Sequence, residues 1–410
     1  MQGGAGGSGW RSHGGEERLS GRSVIVHDRA LESYGFGEDH PFNPLRIRLT
    51  LDLCEALGLF DGMEFVGAEA AREEDLLEVH SLTYVRSVQE ASVGRMLDPI
   101  RTAKLMGYGI GTADNPVVPG IHEACSRVVG AVMEASRMVM AGEAEHAMCI
   151  SGGLHHALRS RASGFCFYND AGAAIARLKK DHPGIRVAYV DTDAHHGDGV
   201  QWMFYDDPEV LTISMHESGR YLFPGTGGVR ERGKGGGEGY SVNVPLEPFT
   251  GDESWIPCFE EVVPEALRAF GPDIIISQNG CDGHMLDPLT HLAATTRLYE
   301  HIPRRIHELS HELCGGKWVA TGGGGYDWWR VVPRAWTALW AVVSHAELPE
   351  KLSGDWRSRW QRECPVDLPH LMHDQDEDYP PGPRASDIAE HNRRTVGEVM
   401  EKVLPLIKSA

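Results

Sequence analysis

Val187 to Gly199 reads VAYVDTDAHHGDG, and the rest of the chain is arranged around it. It begins as an apolar, β-branched run. It ends with Asp191, Asp193, His195, His196 and Asp198 inside eight residues. A strand that runs out of apolar residues into carboxylates and imidazoles delivers those groups to the end of a sheet, where open α/β folds bind ligands. If the strand period continues, Asp193 and His195 point the same way. One carboxylate oxygen and one imidazole nitrogen on the same side are half of a zinc or other transition-metal site. The plainer alternative is a polar turn that caps a helix. That does not account for two adjacent histidines, which have no special value in turns.

Outward from this stretch the same rhythm repeats. Short apolar strands are expected at 24–26, 147–150, 210–215, 273–277 and 318–320, alternating with helices at 121–142, 169–180, 252–270 and 288–313 and with a last one carrying Val332, Trp336, Leu339 and Val343. Leu45 to Leu59 reads as a helix introduced by Pro41 and Pro44, and 69–91 as two short helices around Val79-His80. Continuous apolar strands separated by helices mean an α/β fold with a parallel sheet covered on both faces. Right-handed crossovers then place every strand C-terminus on one edge. Four tails are aimed there, carrying His155-His156, Asp193 with His195, Asp282, and Tyr326.

The 410 residues carry a formal net charge of −20, which argues against a nucleic-acid partner, since that needs a basic face. Eight scattered cysteines form no C-x-x-C pair and read as buried thiols of a reducing cytoplasm. No apolar run reaches membrane-spanning length, and no signal peptide is read at the start. Residues 1–22 have almost nothing to bury and are expected to be disordered. A domain is expected over 23–365. An acidic, proline-rich linker and an amphipathic C-terminal helix follow over 366–410, the helix docking on the same domain or on another subunit.

Taken as parts, Asp193, His195 and Asp282 offer three metal ligands and leave a fourth position open, as catalytic zinc sites do. The O/N/O set is hard enough that Fe2+ is an alternative to Zn2+. His155-His156 would move protons, with Asp191 and Asp198 positioned to hydrogen-bond the imidazoles. Tyr326 follows Gly322 to Gly325, read as a flexible turn, and its phenol could donate to a developing oxyanion. Phe165 and Phe223, both beside glycines, could line a narrow channel, although either alone is more simply core packing. The glycine run could cradle phosphate, but no Lys-Ser/Thr follows it. Arg46, in the first turn of a helix, is poorly placed for the helix dipole and so faces either a specific anion or solvent. Together these parts describe a metal-assisted amide hydrolase for a slender substrate.

The motifs HPFNPLRIRLT, DNPVVPGIHEA, SGGLHHA, ASGFCFYND, DTDAHHGDGV, FPGTG, SQNGCDGHMLDPLTHL and GGGGYDWWRVVPRAW occur in this order between about residues 39 and 345. In them the chain resembles the histone deacetylase-type zinc deacetylases, in particular the bacterial acetoin-utilisation branch. The resemblance implies an arginase–deacetylase fold with a sheet of about eight strands. It implies Asp193, His195 and Asp282 as ligands of Zn2+, His156 as general base with His155 as its electrostatic partner, Asp191 on His155, Asp198 on His156, and Tyr326 on the acetyl oxygen. It further implies Gly164, Phe165 and Phe223 as the acyl-lysine tunnel, Leu289 near its floor or rim, and Arg46 in an internal acetate channel. Where many relatives have a rim aspartate that grips substrate backbone, Glu123 stands here. Two structural K+ or Na+ sites are implied, one using Asp191, Asp193, His195, Ser214 and Met215, the other main-chain oxygens of Phe204, Asp207, Val210 and Tyr240. Acetylated proteins are the implied partners, metabolic enzymes such as acyl-CoA synthetases among them. The competing readings are an acetylpolyamine amidohydrolase, a non-catalytic acyl-lysine binder, and a two-metal arginase-like hydrolase. Oligomeric state is left open.

Overall fold

A computed structural model describes residues 22–37, 40–63, 65–94, 98–375, 377 and 379–407. The disorder expected over 1–22 therefore falls, apart from Arg22, outside the described residues.

Among these residues eight strands form one sheet. They are β1 (Ser23–Val26), β2 (Phe65–Val66), β3 (His146–Cys149), β4 (Val187–Asp191), β5 (Val210–Glu217), β6 (Ser241–Leu246), β7 (Ile274–Gln278) and β8 (Trp318–Thr321). The order across the sheet is β2-β1-β3-β8-β7-β4-β5-β6, and every pairing is parallel. The helices are α1 (Leu45–Ala56), α2 (Glu73–Leu77), α3 (Leu82–Ser92), α4 (Pro99–Gly107), α5 (Ile121–Met140), α6 (Asp170–Asp181), α7 (Asp198–Met203), α8 (Asp252–Phe270), α9 (Leu298–Cys314), α10 (Val332–Val343), α11 (Gly354–Trp360) and α12 (Ala385–Lys402).

The two-residue period of a strand explains why these runs are continuously apolar. Val187, Tyr189, Ile274 and Ile276 face one layer, where α5 and α6 cover them. Ala188, Val190 and Ile275 face the other, against α8, α9 and α10. Neither face of the sheet meets water, so neither needs polar residues. Local signals fix the ends of the helices. Asn169 accepts from Gly172 N at 2.8 Å and starts α6, Asp98 with Pro99 starts α4, and left-handed Gly271 and Gly315 end α8 and α9.

Four features depart from the sequence reading or were missing from it. First, β6 and the two-residue β2 were not expected. They are the two edge strands, and the edge position is what lets β6 carry Pro245. Second, α4, α7 and α11 went unread, all being short. Third, α9 begins at Leu298, not at 288. The segment before it is held extended, with a bridge between His284 and Ala294 and with Thr295 bound through N and Oγ1 to Asp252. Fourth, β4 ends at Asp191, so Asp193 and His195 lie in a loop.

Beyond residue 366 the chain folds back. Leu368 and Met372 pack with Trp356 and Trp360. Asp374 is buried against Arg334 and His284, and α12 lies across α8 and β6. Asn392, fully buried on α12, accepts from Glu247 N at 3.0 Å and donates to Thr250 Oγ1 and Ser254 Oγ.

Candidate active site

The strand tails meet as the parallel sheet requires. The loop after β3 carries His155 and His156, whose Nε2 atoms lie 3.0 Å apart. Behind each ring stands its own carboxylate: His155 Nδ1 to Asp191 Oδ2 is 2.7 Å, and His156 Nδ1 to Asp198 Oδ1 is 2.7 Å. Asp191 is the last residue of β4 and Asp198 the first of α7, so the intervening loop sets the spacing of the pair. Tyr189 OH donates to Asp191 Oδ2 at 2.8 Å.

The two imidazoles are electrostatically unlike. Burial alone would lower His155, but the charges of Asp191 and Asp193 outweigh it and raise it to about 9. Burial and then the neighbouring His155 and His195 hold His156 well below the ordinary imidazole range. Burial pushes the Asp198 carboxyl up to about 6.

The second group is Asp193, His195 and Asp282, all buried, each offering one ligand atom within 4.8 Å of the others. His195 Nδ1 is 2.8 Å from Asp282 Oδ2 and 3.2 Å from Asp193 Oδ1. The carboxylates' other oxygens are already taken. Asp193 Oδ2 accepts from Gln278 Nε2 at 2.7 Å and Gly324 N at 2.6 Å, and Asp282 Oδ1 accepts from Ala194 N at 2.8 Å. One oxygen, one nitrogen and one oxygen are thus left facing a common point. Asp193 and His195 share a side because the Asp193 side chain accepts from His195 N at 3.0 Å, a loop device rather than a strand period. Burial and then the Asp193 charge push the Asp282 carboxyl up to about 6. Two carboxylates this close and this buried suit a divalent cation, and the donor set fits one of the zinc or iron class.

The glycine run passes close against the ligand set. A Cβ on Gly324 would sit 2.2 Å from Asp282 Oδ2, so the backbone passes where no side chain fits. Tyr326 follows, its backbone N donating to Asp287 Oδ2 at 2.8 Å, and its ring meets Phe165 edge-on at 5.7 Å. Burial and the nearby Asp282 and Asp193 raise its phenol well above the ordinary range, so it stays a donor.

Phe165 and Phe223 approach the site from two sides. Phe223 lies 5.0 Å from the His156 ring and is 44% exposed, which takes it out of ordinary core packing. Gly164 is left-handed (φ +50°), and a Cβ there would meet His156 Cδ2 at 2.3 Å and Phe223 Cε1 at 3.0 Å. Leu289 is half-buried and packs with the cluster that contains Tyr326. Arg46 is buried, not solvated. It donates from NH1 to Gly323 O at 2.9 Å and Gly325 O at 3.1 Å, its guanidinium lies 4.1 Å from the Phe42 ring centre, and its Nε has no partner.

The Glu123 carboxylate has a neighbour of its own, Ser92, as a partner. It sits in the first turn of α5, where Ser92 Oγ donates to it at 2.6 Å. Asp114, in the loop before α5, instead lies beside His40, whose ring packs on Phe165 at 4.7 Å. The sequence reading passed over both, although each stands in a quoted motif.

The residues expected around monovalent cations fall into two groups. Ser214 pairs with Asp191 in the β4–β5 register, with Met215 next to it, so the first group gathers beside the metal triad. Phe204, Asp207 and Val210 form the turn between α7 and β5. Phe204 O accepts from Asp207 N at 3.1 Å, Asp207 O from Val210 N at 3.4 Å, and Tyr240 O from Thr212 N at 2.9 Å. Each of these three carbonyls keeps a second lone pair, which a cation could use.

The site defines a class. Residues 40–343 match the histone deacetylase domain model, and the chain belongs to the histone deacetylase family. It is a deacetylase, a hydrolase, of the acetoin-utilisation kind. It is 48% identical over 92% of its length to the acetoin utilization protein AcuC of Bacillus subtilis (strain 168), covering 96% of that protein. It is 38% identical over 92% of its length to AcuC of Staphylococcus aureus (strain MRSA252), again covering 96%. A crystal structure of an HDAC homologue from Aquifex aeolicus superposes with a TM-score of 0.79 at 28% identity, over 91% of this chain and 100% of that one. An HDAC homologue complexed with SAHA gives 0.80 at 29% identity over the same shares. The architecture is that of the arginase–deacetylase fold. Among the described residues no helix is long and apolar enough to cross a membrane.

Proposed function

We propose that this deacetylase hydrolyses the acetyl amide of acetyl-lysine in protein substrates of the cytoplasm, metabolic enzymes such as acyl-CoA synthetases among them. One observation carries the reading: a buried histidine pair, each ring backed by its own carboxylate, borders an O/N/O ligand set, with Gly164 and Phe223 against His156.

Asp193, His195 and Asp282 would hold Zn2+, with Fe2+ as the alternative their hardness allows. Bound there, the cation supplies a Lewis acid for the carbonyl and an acidified water. His156, neutral because it is buried beside other imidazoles, accepts the water proton at Nε2. Asp198 on Nδ1 stabilises the imidazolium that results. His155, paired with Asp191, acts through its field. The proton then passes to the departing lysine nitrogen. The Tyr326 phenol donates to the carbonyl oxygen as charge gathers there. Arg46 would guide acetate away, its unpartnered Nε being the available donor. The two carbonyl-rich groups around Ser214 and around Phe204 would hold K+ or Na+ structurally. Asp114 is the better rim carboxylate than Glu123, being beside the tunnel wall.

Acetate release from an acetylated lysine peptide, set beside acetylputrescine, tests the substrate. Turnover of the peptide is expected. Turnover of the polyamine alone would overturn the reading in favour of a small-molecule amidohydrolase.

A further inference from the structure

The strand that carries His155-His156 beyond its C-terminal end opens, at the other end, with another histidine. His146 is the first residue of β3 and is fully buried. Among the described residues neither of its ring nitrogens makes a hydrogen bond of ordinary geometry, the Gly316 backbone being close enough only to influence it. Leaving such donors and acceptors unmade in a protein interior is costly, so an orphaned imidazole needs an explanation.

Three further histidines surround it. Ring centres of His307, His345 and His311 lie 4.9, 5.1 and 5.2 Å from that of His146. His307 and His311 are four apart on α9 and so share one face of the helix. Their Nε2 atoms are 3.0 Å apart. His345, just past α10, has a left-handed backbone (φ +56°). One nitrogen from each of the four lies within 4.8 Å of the others. The backbone of Gly316 borders the same space, and a Cβ on it would come within 3.0 Å of His311 Cε1.

We propose that His146, His307, His311 and His345 form a second metal site, specific for divalent transition cations of the zinc, cobalt and nickel class. Four imidazoles and no carboxylate in the ligand set select borderline cations over Mg2+ or Ca2+. Tetrahedral coordination with bonds of about 2.0–2.1 Å puts ligand atoms roughly 3.3 Å apart, within reach of the present spacing by small ring rotations. Glu145 stands behind the ligands, 3.8 Å from His311 Nδ1 and 3.6 Å from His345 Nε2. It lies outside hydrogen-bond range but close enough to offset part of the cation's charge. His311 and His345 have side chains 39% and 40% exposed, so the cation can reach the site from solvent. The ion would tie β3, α9 and the end of α10 together at the end of the sheet opposite the active site.

The test is a Co2+ titration of the full-length, metal-stripped chain, read by equilibrium dialysis and by visible absorption. The wild type is expected to retain about two equivalents, and Asp282→Ala, which disables the first site, about one. The double variant H307A/H311A is expected to lose one equivalent, with the affinity of the second site falling by at least about tenfold, while acetate release stays within about twofold of wild type. A wild type that binds one equivalent, or a double variant that still binds two, overturns the proposal. If Asp282→Ala fails to fold, the contrast between wild type and the double variant decides alone. A cluster that merely packs would leave the stoichiometry unchanged, and that result counts against the site.

Discussion

The two ends of the parallel sheet treat histidine in opposite ways. At the C-terminal end, outside the metal triad, three buried imidazoles each lie against a buried carboxylate: His155 on Asp191, His156 on Asp198 and His284 on Asp374. At the N-terminal end four imidazoles lie against one another. Glu145, beside His311 and His345, is out of hydrogen-bond range, and among the described residues His146 has no hydrogen bond of ordinary geometry. A carboxylate on Nδ1 fixes the ring's orientation and tautomer and stabilises its charged form, which proton chemistry needs. Rings without one remain free to turn their nitrogens towards a shared point. The same residue type is thus prepared for different work by what stands behind it.

The contrast can be broken from either end. His156→Ala removes the base itself and should cut kcat/KM by about 10²–10⁴-fold. A loss below tenfold in acetate release would mean that the base is elsewhere. Asp374→Ala strips the buttress from His284 and leaves Arg334, which is 3% exposed, without its ion pair. Breaking a buried pair in this way costs about 3–5 kcal/mol, to be read from urea denaturation. Its pH dependence has a definite sign. Burial alone would raise Asp374, but the hydrogen bond from His284 and the charge of Arg334 win and hold it well below the usual carboxylate range. Its stabilisation is therefore complete above the ordinary value of about 3.9 and fades as pH falls towards the folded value. The stability gap between wild type and Asp374→Ala should hold from pH 7 to about 5 and shrink below about 4.

Tyr326→Phe keeps the ring against Phe165 and removes the donor. A loss of about 10²–10³ in kcat with KM little changed is expected in steady-state assays. Asp198→Asn leaves His156 in place but weakens its backing. About 10–100-fold is expected, with the pH–rate profile shifted relative to wild type. A profile that did not move would show that the carboxylate only packs. The smallest effect belongs to the other end, where H307A/H311A should leave acetate release within about twofold.

The active end was legible in sequence because its groups sit in short runs at strand ends, where apolar patterning stops abruptly. Asp193 and His195 were paired correctly for the wrong reason: an aspartate side chain bent back on the backbone does what strand alternation was expected to do. Sheet edges were harder. In β6, SVNVPL, the polar Ser241 and Asn243 alternate with valines and a proline follows, and the Gly-rich loop before it masked the start. The start of α9 was misjudged because the residues before it are apolar enough for a helix but are held out of one by the His284–Ala294 bridge and by Thr295 on Asp252. Asp114 beside His40 was not singled out because sequence gives no distance between neighbouring motif positions. The histidine cluster at 146, 307, 311 and 345 left only one local trace, the i,i+4 spacing on α9. The rest depends on how the strand and two helices end.

The docking of α12 has a consequence for self-association. Asn392 satisfies backbone and hydroxyl groups at Glu247, Thr250 and Ser254, and the helix lies across the edge strand β6. Edge strands are liable to recruit a further strand from another chain, and α12 packed on β6 limits the approach to the sheet from that side.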